Sequence, residues 1–161
     1  MRSLLRSRVA AAIACVVLLG LIVAGVVVLR DGDDLPEAPQ ASVDIAHDFA
    51  LAATTFDYRR IERDRDRVLA FGSDELRRDF SAVMGDEFAE RAAEARRVSV
   101  GEIVAGPTVQ RVGDGRATML VVLNQRVVSD AEDPEPQVVR VSMLVTVETD
   151  DDPLVTRVQV L

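Results

Sequence analysis

The chain contains few residues of the types that carry out acid–base or nucleophilic chemistry. Its 161 residues include one His, one Cys and no Trp. Catalysis that depends on histidine would have to use His47, and no Ser or Cys is placed locally to act as its nucleophile. His47 and Cys15 alone cannot complete a tetrahedral zinc site. We interpret His47 as a surface or boundary residue of a helix.

Asp57 and Tyr58 form a second candidate, because a tyrosine and a carboxylate that are buried together can do acid–base work. Adjacent residues of a helix point about 100° apart, so these two would not share one site. We expect the Tyr58 ring to pack while its hydroxyl stays hydrated.

A run of nearly alternating charges follows over residues 59–67. Glu62 with Arg65 and Asp64 with Arg67 can pair one helical turn apart. A solvated helix face is the simpler interpretation, and a docking surface for a charged partner is the alternative. The chain has no phosphate-binding glycine loop, zinc-ligand spacing or nucleophile elbow. The sequence therefore predicts no catalytic, cofactor-binding or metal-binding residues.

Charge is divided unevenly along the chain. Residues 1–30 hold four Arg and no acid, whereas residues 31–161 hold the other 15 Arg and all 27 acids, which gives +4 and −12. The acidic balance argues against a nucleic-acid partner, since such proteins need a basic surface to displace counterions. Only 4% of residues are aromatic, which also disfavours base stacking.

The basic N-terminus precedes an apolar segment. Residues 9–29 carry no charge, and as a helix they would be about 31 Å long, close to the ~30 Å hydrocarbon core of a bilayer. Because Arg2, Arg6 and Arg8 precede this run and acids follow it, residues 1–8 are predicted to stay in the cytoplasm. The alternative is a cleaved signal peptide, but the run is long for one and no small-x-small site follows. Lipidation of Cys15 is a weaker alternative. We expect an uncleaved single-pass anchor.

The rest of the chain is predicted to be a linker followed by one extracytoplasmic domain. Residues 30–41 are acidic and contain two prolines, which favours an extended linker. Residues 42–95 show helical spacing of apolar residues. We expect a helix from Val43 to about Tyr58 with Ser42 as N-cap, and a second from about Arg60 to Phe71 that Gly72 ends in a left-handed conformation. A third helical stretch, capped by Ser73 or Asp74, reaches about Ala95, and it is either one helix or two with a break near Gly85.

Residues 97–161 are rich in Val and change to a period of two. The clearest strand is Val139–Glu148, in which odd-numbered residues are Val or Met. Gly106-Pro107 and Gly113-Asp114-Gly115 are expected to interrupt or turn the chain, residues 129–137 to form a polar loop, and residues 154–161 a last strand. Helices followed by strands predict an α+β domain, with the helices packed on one face of an antiparallel sheet.

The segment Ala53-Thr54-Thr55-Phe56-Asp57-Tyr58-Arg59-Arg60-Ile61-Glu62-Arg63-Asp64 resembles one found in the Mce-associated membrane proteins of actinobacteria. The later spacing to Gly72 and Phe80 and the Val-rich strand with Asn124-Gln125 are also similar. The resemblance implies a curved-sheet cone of the cystatin or nuclear-transport-factor type. It departs at Pro153-Leu154-Val155-Thr156, where such proteins often have a Gly-x-Trp strand.

The resemblance also implies a function. It predicts a non-enzymatic accessory subunit without cofactors that assists an Mce-type lipid import complex. Its partners would be integral and extracytoplasmic subunits of that complex, or further copies of itself. Two alternatives share the anchor and the cone: a bitopic assembly subunit of a secretion system, and a membrane-tethered enzyme or lipid-binding module. A deep pocket with Tyr58 near a buried carboxylate would favour the module, and an interior filled by Phe, Val and Met would argue against it.

Overall fold

The computed structural model describes residues 37–129 and 133–161. Four α-helices, one short 3₁₀ helix and five strands lie in these residues. In chain order they are α1 (Gln40–Thr54), β1 (Phe56–Asp57), a 3₁₀ helix (Tyr58–Arg60), α2 (Ile61–Leu69), α3 (Asp74–Val83), α4 (Asp86–Glu94), β2 (Val98–Gly113), β3 (Arg116–Ser129), β4 (Asp133–Glu148) and β5 (Val155–Val160).

Helix α1 packs its apolar stripe on the sheet. Phe49 and Ala46 are fully buried, and the small residues beside them let the helix lie close to the strands. The predicted cap at Ser42 was wrong, because the helix begins at Gln40 with Pro39 at the N-cap position. The buried Ser42 hydroxyl instead donates a hydrogen bond of 2.9 Å to the carbonyl of Glu148. Ser42 therefore joins the start of the helix to the end of β4.

Helix α1 is also shorter than predicted at its C-terminal end. It stops at Thr54 rather than near Tyr58, because Phe56 and Asp57 pair with Ser99 and Val98 of β2. This two-residue strand places a piece of sheet inside the half of the chain that was expected to be helical.

Helix α2 ends at Leu69, and Gly72 does not terminate it in a left-handed conformation as predicted. Gly72 forms a bridge with Val155, beside the hydrogen bond from the Ser73 N–H to the Val155 carbonyl. A Cβ at Gly72 would lie 3.1 Å from the Leu76 side chain. Gly72 therefore lies in a tight place beside Leu76, and its backbone angle is not in the left-handed region.

The third helical stretch, for which one helix and two were both open, is two helices separated at Gly85. The Ser73 hydroxyl accepts a hydrogen bond from the Leu76 N–H at 3.3 Å, which confirms it as the N-cap of α3. Gly85 lies at the N-cap of α4. Leu76 and Phe80 of α3 are buried in the core.

The strands form one antiparallel sheet in the order β1-β2-β3-β4-β5. The turn at Gly113-Asp114-Gly115 is confirmed between β2 and β3. Gly106-Pro107 does not end a strand, since β2 continues through it with shifts in register on both sides. The predicted polar loop at 129–137 was too long, because β4 already begins at Asp133. The last strand is confirmed at Val155–Val160.

The helices cover one face of this curved sheet, so the predicted α+β class is confirmed. We call the covered surface the inner face and the opposite surface the outer face. Odd-numbered residues of β3 and β4 point inward, including the buried Met119, Leu123 and Met143. Phe49 and Phe80 from the helices pack against them.

Within the described residues, no helix combines the length and the apolar character that a membrane crossing needs. The predicted anchor at residues 9–29 lies outside the described residues, as do residues 1–8 and most of the predicted linker.

Candidate functional site

The Asp57-Tyr58 segment connects α1 to α2 by a tight set of hydrogen bonds. The Asp57 carboxylate accepts a bond of 2.9 Å from the Arg59 N–H and so caps the 3₁₀ helix. The Asp57 N–H donates in turn to the Asp64 carboxylate at 2.9 Å. These bonds satisfy backbone groups at the start of two helical turns, which is a structural task.

Asp64 is the buried member of the charged run. Its side chain is 3% exposed, and its carboxylate lies 3.4 Å from the Arg67 guanidinium. Arg67 also donates a hydrogen bond of 3.2 Å to the Thr55 carbonyl. Glu62, Arg63 and most of the run are exposed, as expected of a solvated helix face. Asp64 departs from that expectation because it fastens α2 to β1 through the Asp57 N–H.

The tyrosine does not form an acid–base pair. The Tyr58 hydroxyl accepts a hydrogen bond from Arg59 Nε at 3.1 Å, and the Arg59 guanidinium lies 4.9 Å from the centre of the ring. The buried carboxylate of Asp64 is bonded to the Asp57 backbone instead. The arrangement that would favour an enzyme is therefore not formed.

His47 lies on α1 with its Nδ1 3.0 Å from an Asp48 carboxylate oxygen. Its side chain is 45% exposed, which agrees with a boundary position. The described residues contain no cluster of three or more His, Cys, Asp or Glu that could hold a metal ion.

The inner face of the sheet carries the core of the described residues. Its fully buried side chains are mainly Val, Met, Leu and Phe, with Phe49, Met119 and Leu123 among the largest. These are the side-chain types that were expected of a packed interior.

A shallow groove of about 440 Å³ lies between α1, α2 and the start of β2. Its walls are formed by Asp48, Leu51, Ala52, Thr55, Arg67, Phe71, Val100 and Gly101. Two of its polar groups are already engaged, since Arg67 binds the Thr55 carbonyl and the Thr55 hydroxyl accepts from the Gly101 N–H at 3.0 Å. Leu51, Ala52, Phe71 and Val100 make much of the groove wall apolar.

A buried polar cluster below the groove was not predicted from the sequence. The Ser99 hydroxyl donates to the Thr54 carbonyl at 2.7 Å, and the Gln125 amide donates to the Ser99 hydroxyl at 2.8 Å. Thr54 lies so close to β2 that a Cβ at Gly101 would be 2.0 Å from its hydroxyl. An isolated Gly within a strand is the signal that could have indicated this close approach.

The outer face of the sheet differs in charge from the rest of the domain. The register aligns Val100, Arg126 and Val138 in one row across β2, β3 and β4, with Glu102, Asn124 and Arg140 in the next row. Arg111 and Arg157 flank the paired Thr118 and Thr146 farther along the face. None of the four Arg is in an ion pair with another described residue, whereas Arg59, Arg65, Arg67, Arg77 and Arg91 of the helical layer are.

No model of a known protein family matches the sequence, and no curated protein is significantly similar to it. Solved structures do match the fold. An IcmL-like type IV secretion system protein from Legionella pneumophila has a TM-score of 0.62 at 13% identity, and the match covers 80% of this chain and 94% of that chain.

Two further structures give the same result. The periplasmic domain of DotI has a TM-score of 0.60 at 14% identity, over 81% of this chain and 99% of that chain. CagV, a VirB8 homologue from the type IV secretion system of Helicobacter pylori, has a TM-score of 0.57 at 7% identity, over 75% of this chain and 93% of that chain.

These matches confirm the nuclear-transport-factor-like cone. They overturn the resemblance to Mce-associated proteins, because the neighbours in structure are secretion proteins of the VirB8, TraE and IcmL kind. The interpretation as an accessory subunit of lipid import is wrong for the same reason. The segment around Asp57 carried that resemblance, and in the structure it serves to connect α1 with α2.

Proposed function

We propose that this chain is a membrane-anchored, non-enzymatic assembly subunit of a type IV secretion-like machine. The observation that carries the proposal is the fold, which spans 93–99% of the IcmL-like, CagV and DotI chains. Identity of 7–14% relates the chains by fold alone, so the function is inferred and the common architecture is its support.

The interior of the domain supports an assembly role. The cone is filled by core side chains, and the hydrogen bonds of Asp57, Asp64 and Thr55 hold helices in place rather than aim polar groups into a cavity. A subunit of this kind acts through its surfaces. The outer face carries exposed Val and four Arg without an ion pair to another described residue, and so differs from the acidic helical layer.

We further propose that residues 9–29 anchor the chain in the membrane with residues 1–8 in the cytoplasm and the described domain on the other side. The charge difference across residues 9–29 supports this orientation. The periplasmic origin of the DotI domain is consistent with it.

Crosslinking in living cells tests the proposed function. The full chain carrying a C-terminal affinity tag is crosslinked at native abundance, solubilised and identified with its partners by mass spectrometry. We expect membrane subunits of a secretion assembly. A bait that joins residues 1–41 to an unrelated globular domain is the control for contacts made by the anchor. Recovery of the chain alone, or with the subunits of a lipid importer, would contradict the proposal.

A further inference from the structure

Among the described residues, strand β5 pairs with only part of β4. It pairs with Met143–Val147, and the Leu161 N–H donates a hydrogen bond of 2.9 Å to the Ser142 carbonyl. Residues 137–141, which we call the open edge of β4, have no strand on that side among the described residues.

The direction of the backbone groups follows from that last hydrogen bond. The Ser142 carbonyl points away from β3, and successive residues of a strand point their N–H and C=O to alternate sides. Val138 and Arg140 therefore direct one donor and one acceptor each toward the open side. Gln137 and Val139 use theirs on Val127 and Gln125 of β3. Four backbone groups are presented at the spacing of a strand.

The side chains at this edge have the chemistry of a docking surface. Val138 is 59% exposed, and Val100, two strands away in the same row, is 51% exposed. Between them lies Arg126, and Arg140 lies in the next row with its Nε 3.4 Å from the Asn124 side-chain oxygen. Neither Arg forms an ion pair with a described residue. Exposed aliphatic groups beside unpaired guanidinium groups favour a partner that is both apolar and acidic.

We propose that the open edge of β4 binds an extended segment of a partner protein as an additional strand, with an acidic side chain of that segment meeting Arg140 and Arg126. The added strand would lie in line with β5 and bond to the backbone of Val138 and Arg140. The backbone of Pro136, two residues before Val138, faces the same open side but has no N–H to donate. The site is therefore short, which limits edge-to-edge aggregation. The proposal does not depend on which assembly the chain belongs to.

The experiment measures binding of a short fluorescent peptide in which Val and Glu alternate to the full chain in detergent micelles. Its twin carries Lys in place of Glu. We expect the Glu peptide to bind and the Lys peptide to bind roughly tenfold more weakly. Hydrogen exchange at the Val138 and Arg140 amides should slow when the Glu peptide is added, while the Val139 amide, already bonded to β3, should change little.

Two substitutions separate the backbone contribution from the side-chain contribution. Val138→Pro removes an N–H that β3 does not use, so we expect the fold to be kept and the affinity for the Glu peptide to fall roughly tenfold. Val138→Ala keeps the N–H, so its affinity for the Glu peptide should stay within about threefold of the original chain's. Arg140→Gln should remove most of the preference for Glu over Lys, and it serves independently if Val138→Pro fails to fold.

Three results would overturn the proposal. The first is no binding of the Glu peptide at millimolar concentration, and the second is equal binding of both peptides. The third is self-association of the chain that Val138→Pro abolishes, because the occupant of the edge would then be a second copy of β4 and not an acidic segment.

Discussion

Asp64 is a carboxylate that the fold removes from water, and its charge is compensated by local groups. The Asp57 N–H and the Arg67 guanidinium both reach it, and together they join α1, the 3₁₀ helix and α2. Removing one member of a buried ion pair is costly because the other is left without its partner. Here Arg67 is 49% exposed and can be hydrated again, so the main loss falls on the Asp57 N–H.

We expect Asp64→Ala to lower the free energy of unfolding by about 2 kcal/mol, since a buried donor loses its acceptor. Asp66→Ala is the matched control, because that carboxylate is 72% exposed and the change should stay within about 0.5 kcal/mol. Unfolding by urea, followed by circular dichroism of the full chain in detergent, measures both. Equal losses would mean that Asp64 has no special structural task.

The second prediction at the residue scale concerns the stability cost of adding a Cβ atom at Gly101. An added methyl group would meet the Thr54 hydroxyl at 2.0 Å, in a place fixed by the bond from that hydroxyl to the Ala50 carbonyl at 2.7 Å. We expect Gly101→Ala to cost at least about 2 kcal/mol by forcing α1 away from β2. Gly113→Ala, in the same strand with nothing within 4 Å, is the control. A melting temperature unchanged in Gly101→Ala would show that the helix can move freely there.

At the scale of elements, the features that were predicted correctly depend on neighbouring residues. The cap at Ser73, one of the two candidates, is a signal within one turn of helix, and it appears in the structure. Whether the stretch after it was one helix or two stayed open in the sequence, and the structure divides it at Gly85. The early end of α1 depends on Val98 and Ser99, more than forty residues farther along the chain, so helical spacing alone could not reveal it. The burial of Asp64 was hidden in a charged run that is otherwise exposed.

The cap of α3 supplies a prediction at this scale. The Ser73 side chain satisfies the Leu76 N–H, and its own backbone N–H binds the Val155 carbonyl at 2.9 Å. Ser73→Ala keeps the backbone bond and loses the cap, so we expect a loss of about 1 kcal/mol in the free energy of unfolding. Ser81→Ala, at an exposed position within α3, should be near neutral. A loss as large in Ser81→Ala would assign the effect to helix propensity and not to the cap.

At the scale of the whole molecule, the order of helices and strands was enough to predict the layers of the fold, and the choice of family was wrong. The cone supports unrelated functions, so a short segment such as Ala53–Asp64 can resemble one family while the complete structure matches another. In the structure that segment is held by hydrogen bonds within the connection between α1 and α2, which is a local structural task. The surface that we propose for partner binding lies on the outer face, and its residues are brought together only by the register of β2, β3 and β4.

The orientation of the chain in the membrane is the last prediction, and it follows from charge. Four Arg lie in residues 1–30, and acids predominate after them. Basic flanks of membrane segments are usually retained in the cytoplasm, so we expect the N-terminus to stay there.

Single cysteines introduced as Ser3→Cys and Asp151→Cys, each in a Cys15→Ala background, report the two sides. A maleimide that does not cross membranes should label the Asp151→Cys protein in spheroplasts and the Ser3→Cys protein only after detergent is added. Asp151 is exposed in a turn, so lack of access in the folded domain would not explain a failure to label. Labelling of the Ser3→Cys protein in spheroplasts would reverse the orientation, and release of the Asp151→Cys protein from the membrane with a shortened chain would favour a cleaved signal peptide over an anchor.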